Sequence, residues 1–181
     1  TQDSREGARA GIVPVVKPNP NPFGPAGVRH PFHPLKGPMT TQTLRGMKRR
    51  LWRDPYPPRK LKPDYFETTR PYRIYVSEHY RAALLLTLED FEQGTAVPHL
   101  DKFAVADDAQ GEGLGRAIWH VMRGDVERLF WRSRPDNPVN DFYFSEADGC
   151  LKGGSWNVFW YGLDSFEAIR EAVEHCRGRV P

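Results

Sequence analysis

Proline divides this chain. Twelve of its 17 prolines fall before residue 64, in stretches such as VPVVKPNPNPFGPAG and RHPFHPLKGP. Each removes a backbone donor and pushes the residue before it away from helical geometry. Residues 1–58 therefore read as an extended or coiled, Pro-rich arm, not a sheet or a helix. Residues 59–181 read as one folded domain, and a length of 181 suits one domain plus an arm.

The arm ends basic. RGMKRRLWRDPYPPRKLK, residues 45–62, carries eight Lys/Arg against one Asp. One reading is a solvated linker with a positive face; another gives part of the patch to an anion site. The net charge is only +3 and no recognised module accompanies the patch, so nucleic acid is not expected as a partner. No apolar run approaches the roughly 18 residues that cross a bilayer, so no membrane is expected. TQDSREGARAG lacks an apolar stretch, and no secretory signal is expected there. Cys150 and Cys176 stand in no CxxC or Cys/His spacing. The expectation is a reducing, cytoplasmic setting without structural zinc or any other metal.

Beyond residue 64 the pattern turns compact. YRIYVS (72–77), RAALLLTLE (81–89), HLDKFAVA (99–106), RLFWRSR (128–134) and WNVFWYGL (156–163) read as strands. Leu114, Ala117, Ile118, Val121 and Met122 recur at helical spacing and predict one apolar helix face. Phe166, Ile169, Val173 and Cys176 predict a second, with Asp164 or Ser165 placed to cap it. Strands with interspersed helices and no internal repeat predict an α/β or α+β sheet domain.

Between a strand and the first helix lies DDAQGEGLGRA. That context presents free backbone N–H groups and the positive end of a helix dipole, which suits phosphate. The loop is not a P-loop, since GxxxxGK[ST] is missing, nor a dinucleotide fingerprint. It does contain Gln-x-x-Gly-x-Gly, as Gln110, Gly113 and Gly115. This spacing resembles the pyrophosphate loop of the GNAT acyl-CoA N-acyltransferases, although a glycine-rich turn with a purely structural role is the other reading.

The strand LFWRSR adds a second feature. Alternation sends Leu129, Trp131 and Ser133 to one face, and Phe130, Arg132 and Arg134 to the other. Two guanidiniums on one face call for anions opposite: internal Asp/Glu, or the carboxylates of a substrate, which suit the planar fork of arginine.

HLDKFAVADDAQGEGLGRA, LFWRSRPDNPVNDFYF and WNVFWYGL, in this order and spacing, resemble the acetyltransferase domain of the N-acetylglutamate synthase family. The likeness is greatest to the vertebrate version and to that of bifunctional bacterial synthase/kinase proteins. It runs from about Arg59 to Cys176 and leaves the arm uncovered. The resemblance implies a GNAT fold, a central mixed sheet flanked by helices. It implies acetyl transfer from acetyl-CoA to the α-amine of L-glutamate, in arginine biosynthesis. It places Lys102, Phe103, Ala104 and Val105 along the strand that offers backbone groups to the pantetheine arm. It gives the pyrophosphate to Gln110, Gly111, Glu112, Gly113, Leu114, Gly115 and Arg116. It assigns the substrate carboxylates to Lys60, Lys102, Arg132 and Arg134, with Ser133 and Asn137 in the same substrate segment.

The amine of glutamate must be neutral to attack a thioester, so a base is wanted, and a donor must protonate the departing thiolate. Direct attack in a ternary complex is expected, because neither cysteine lies in a motif for an acyl-enzyme. The family usually has Tyr where this chain has His99. Imidazole titrates nearer neutrality than phenol, so His99 is a candidate base, and a tolerated packing substitution is the other reading. Tyr143 is a candidate thiolate acid or a hydrogen-bonded core tyrosine. Asn137 joins them as a candidate catalytic residue.

Relatives in this family carry an amino-acid kinase domain, and nothing here resembles one. The chain reads either as an excised domain or as a stand-alone enzyme, with homo-oligomerisation or association with an amino-acid kinase domain as its protein partners. Two further functions stay open: a GNAT enzyme for another small anionic amino acid, and a non-catalytic GNAT-like binding or regulatory domain.

Overall fold

A computed structural model describes residues 12–13, 37–38, 45–47, 51, 64–69, 71–92, 94 and 96–178. Among these residues the elements with described bounds are, in chain order, β1 (Ile12–Val13), β2 (Gly37–Pro38), α1 (Tyr65–Thr68), β3 (Arg73–Val76), β4 (Ala82–Asp90), β5 (Ala96–Val105), α2 (Leu114–Asp125), β6 (Leu129–Ser133), α3 (Asn140–Glu146), β7 (Gly149–Leu151), β8 (Asn157–Tyr161) and α4 (Phe166–Gly178). Strands β3 to β8 form one mixed sheet in the order β3-β4-β5-β6-β8-β7. The β5–β6 pair is parallel; β3–β4, β6–β8 and β7–β8 are antiparallel. The α/β class and mixed sheet expected from the sequence are both present.

The chain groups into two compact units. The first comprises residues up to Thr87 together with Lys102–Asp125; the second comprises Leu88–Asp101 and everything from Val126 onward.

In the first unit, α2 packs on β3 through one apolar face. Leu114, Ala117, Ile118, Trp119 and Met122 are buried, as the 3.6-residue period requires, while Arg116, His120 and Arg123 face solvent. Trp119 was not part of the predicted stripe; its ring meets Phe103 at 6.0 Å. Ala82–Leu86 and Ile74–Val76 are buried strand residues of the same unit. Tyr75 donates its hydroxyl to Asp125 Oδ2 at 3.2 Å, tying the end of α2 to β3.

In the second unit, β6 lies between two cores. On one face Trp131 stacks on Phe159 at 5.5 Å and 12°, with Tyr143 of α3 at 5.6 Å from each ring. On the other, Phe130 packs with Phe91, Val97, Val158, Leu163 and the α4 residues Ala172 and Cys176. Ser165 caps α4, accepting a hydrogen bond from the Ala168 N–H at 3.1 Å. One member of the predicted α4 stripe is corrected: Phe166 is 75% exposed. It occupies the first helical position, and the buried face is carried by Ile169, Ala172, Val173 and Cys176. A Phe left in water forgoes the roughly 1.5–3 kcal/mol that full burial would give.

The arm also departs from expectation. Its described residues include a two-residue antiparallel ladder, Ile12–Val13 with Gly37–Pro38, and a helical turn at 45–47. Met47 and Leu51 are buried, so apolar side chains there override the proline-based expectation of coil.

Candidate active site

The first unit carries every residue predicted to meet the cofactor. β5 runs out through Lys102–Val105, a short 3-10 turn follows at Asp107–Ala109, and the chain turns through Gln110–Gly113 into α2. Gly111 and Gly113 have φ of 86° and 76°, where an L side chain is disfavoured, and nothing lies within 4 Å of a Cβ added at either.

Gly115 does different work. A Cβ there would sit 3.3 Å from Val105 Cγ2 and 3.4 Å from Phe103 Cζ, so its role is close packing of helix on strand. The first intrahelical bond runs from the Ala117 N–H to the Gly113 carbonyl at 3.0 Å. The N–H groups of Leu114, Gly115 and Arg116 therefore have no acceptor inside the helix.

The loop is held from outside by a residue that sequence reasoning missed. Arg81 Nη2 lies 2.9 Å from both carboxylate oxygens of Glu112 and donates to the Asp108 carbonyl at 3.2 Å. Gln110 is folded back on the loop, its Nε2 donating to Asp107 Oδ1 at 2.8 Å. Lys102 Nζ rests 5.2 Å from the centre of the Tyr65 ring. Lys60 lies outside the described residues.

The second unit carries the other predicted residues. Arg132 and Arg134 share a face, as alternation required, and both guanidiniums lie over Trp156, at 3.9 and 5.0 Å from its ring centre. Arg132 Nη1 also donates to the Cys176 carbonyl at 2.7 Å, in the last turn of α4, where the helix dipole favours a cation. A π-face and a helix-end carbonyl thus meet this pair. Trp156 opens the predicted strand 156–163 but stands just before β8, and nothing in the sequence singled it out as a partner of the arginines.

The segment RPDNPVN is closed by amides. Asn137 Nδ2 donates to Ser133 Oγ at 2.9 Å, and its Oδ1 accepts from the Val139 N–H at 3.2 Å. Asn140, buried, donates to the carbonyls of Arg134 and Pro135 at 2.8 and 3.1 Å. Asn137 and Asn140 line an open cleft of about 540 Å³ whose other residues include Asp141, Lys152 and Gly153. Arg132 and Arg134 do not line it.

Tyr143 is enclosed by Trp131 and Phe159, and burial pushes its phenol well above the usual tyrosine range. His99 is buried on β5, paired in register with Phe130, whose ring is 4.9 Å away. His175 of α4 is 5.3 Å from the His99 ring, and the carboxylate of Glu89 is beside both. Sequence reading singled out neither Glu89 nor His175.

The glycine loop at the start of α2 and the arginines at the end of β6 are features on which the sequence resemblance rests. Residues 38–179 match the family described as the N-acetyltransferase, NAT, of N-acetylglutamate synthase. The chain belongs to that family. The match begins well ahead of Arg59, inside the segment read from sequence as arm. Acetylglutamate kinase of Xanthomonas campestris is 58% identical over 123 residues, 68% of this chain and 29% of the relative. The mitochondrial N-acetylglutamate synthase of Mus musculus is 45% identical over 122 residues, 66% of this chain and 23% of the relative. The NAT chain thus spans under a third of the length of these relatives. Among solved structures, Arabidopsis thaliana Naa50, in complex with a bisubstrate analogue, shares the fold at a TM-score of 0.50 and 13% identity. That likeness covers 71% of this chain and 95% of the other. Among the described residues no helix is long and apolar enough to cross a membrane.

Proposed function

We propose that this NAT domain transfers the acetyl group of acetyl-CoA to the α-amine of L-glutamate, the entry step of arginine biosynthesis. The observation that carries the reading is the Gln110–Gly115 loop. Two glycines at positive φ lead into a twelve-residue helix whose first N–H groups point out of the hydrogen-bonded ladder. Such a helix start binds a pyrophosphate through N–H groups and dipole together. Lys102–Val105 offer the edge groups for the pantetheine arm, and acetyl-CoA is the co-substrate.

Glutamate is given to the cations. Arg132 and Arg134 stand side by side on Trp156 and suit the two carboxylates, with Lys102 and Lys60 as further positive charge. Cationic acceptors such as lysine are disfavoured by the same charges. Ser133 and Asn137 hold the backbone of the substrate segment.

The ammonium loses its proton to water, a loss that neighbouring positive charge favours. The neutral amine then attacks the thioester carbonyl carbon directly. A C–N bond forms, the C–S bond breaks, and the CoA thiolate takes up a proton. Burial keeps the Tyr143 phenol protonated, so it serves as a hydrogen-bond donor, and its raised pKa makes it a weaker acid than a free tyrosine. An acyl-cysteine is disfavoured, because burial raises the Cys150 thiol, whereas a nucleophilic cysteine needs a lowered one.

Two cysteines outside any disulfide suit a reducing compartment such as the cytoplasm. The kinase-named relatives support association with an amino-acid kinase domain.

Thiol release from acetyl-CoA, measured across amino-acid acceptors, tests the reading. Turnover with glutamate above glutamine and lysine is the expected result. Turnover with aspartate alone would move the assignment to another small anionic amino acid. Tight CoA binding without turnover on any acceptor would make the chain a binding module.

A further inference from the structure

The second unit holds a cluster of metal-ligating side chains apart from the paired arginines. Glu89 near the end of β4, His99 of β5 and His175 in the last turns of α4 each direct a donor atom to one spot. The three donors lie within 4.8 Å of one another. His175 Nε2 and Glu89 Oε1 are 3.7 Å apart. We propose that Glu89, His99 and His175 form a binding site for a divalent first-row transition metal, zinc by preference.

The donor set decides the class of ion. Two imidazoles and one carboxylate are borderline donors, suited to zinc and its neighbours in the first row, whereas calcium and magnesium take oxygen ligands. Ligand bonds near 2.1 Å at a tetrahedral angle put neighbouring donors roughly 3.4 Å apart. The His175–Glu89 separation is already close to that value. The His175 and Glu89 side chains keep 21% and 18% of their exposure and have room to rotate onto an ion, while His99 is buried in the wall.

The surroundings fit a metal as well. Phe130 packs against both imidazoles, at 4.9 and 5.5 Å, and Phe91 and Val97, two residues beyond Glu89 and before His99, belong to the adjoining apolar cluster. An apolar wall on one side and partial exposure on the other leave an open coordination position towards water. Bound there, the ion would pin β4, β5 and α4 together, so its effect is on stability, by mass action on the folded state. The inference does not depend on the proposed reaction.

The test uses the whole chain stripped of metal with a chelator. Zinc is titrated against a chromophoric chelator, cobalt is followed by its ligand-field absorption, and thermal unfolding is read with and without zinc. The expected result is one equivalent of zinc, an intense cobalt spectrum of low coordination number, and a Tm raised by zinc. Glu89→Gln and His175→Asn, both at partly exposed positions, should each weaken zinc at least about tenfold, because even lost outer-shell partners cost that much. Both should abolish the zinc-dependent rise in Tm. His99→Tyr should do the same, and if it fails to fold, the other two variants carry the test. A wild type that takes up no equivalent overturns the site. So do variants that keep the stoichiometry and affinity of the wild type, since the metal would then sit on histidines such as His79 or His120.

Discussion

Arg81 places Nη2 2.9 Å from each carboxylate oxygen of Glu112, thirty-one residues away in the chain. The pair joins the start of β4 to the turn before α2. Its worth lies in geometry, because Arg81 also holds the Asp108 carbonyl and so fixes both sides of the turn. Glu112→Gln should therefore leave the thermal unfolding midpoint nearly unchanged while weakening CoA several-fold. Calorimetric titration of CoA at low and high salt checks this. Unaltered affinity would mean that the loop shape is set by Gly111 and Gly113 alone.

Gly113→Val forces a β-branched residue into the left-handed region, at a cost of about 1–3 kcal/mol. The added methyl groups also project into the open space beside the loop. CoA affinity should fall by more than about tenfold, or 1.4 kcal/mol, in a protein that still unfolds cooperatively. Gly113→Asn should recover part of the loss, since asparagine tolerates this conformation. Isothermal titration of the two variants distinguishes strain from simple bulk.

Arg132→Lys removes the planar group that spans Trp156 and the Cys176 carbonyl. The lost stacking should cost about 0.5–2 kcal/mol of stability, and KM for glutamate should rise with a smaller change in kcat. Trp156→Leu should raise KM in the same direction, because it removes the platform under both arginines. Steady-state kinetics with glutamate check both. An unchanged KM in either variant would leave the arginines with structural work only.

Alkaline pH should destabilise the fold through Tyr75 and Tyr143. Burial, first among the causes, raises both phenols above their ordinary value of about 10. Below that value both states hold the proton and the stability is complete. Above it the unfolded chain releases protons that the folded one retains, and each tyrosine withdraws about 1.4 kcal/mol per pH unit until its folded pKa is reached. Tyrosinate absorbance recorded with urea unfolding should show these two phenols ionising only as the protein opens.

Periodicity carried the fold a long way. The 3.6-residue stripe from Leu114 to Met122 and the β-branched and aromatic runs around Ile74, Leu84, Phe130 and Phe159 are local signals, and each became the element it predicted. The three-residue β7 and the seven-residue α3 are too short to show a period, and Asn140 and Tyr143 are held by tertiary contacts instead. At the site, the loop glycines and the arginines of β6 were legible because backbone freedom and strand alternation are written in adjacent residues. Arg81 with Glu112, Trp156 under Arg132, and Glu89 with His175 were not. Those partners lie far apart in sequence, and only the folded chain sets them together. Phe166 was misplaced because a helical stripe does not say where the neighbouring sheet ends.

Ionic strength will not act alike on the two turns. The turn from Arg134 to Asn140 is closed wholly by neutral amide, hydroxyl and peptide groups, through Asn137 and Asn140. Such bonds are indifferent to added salt, whereas the partly exposed Arg81–Glu112 pair is screened as the Debye length shrinks below about 10 Å. A briny medium would therefore slacken the cradle at the head of α2 and leave the shape of RPDNPVN as it was.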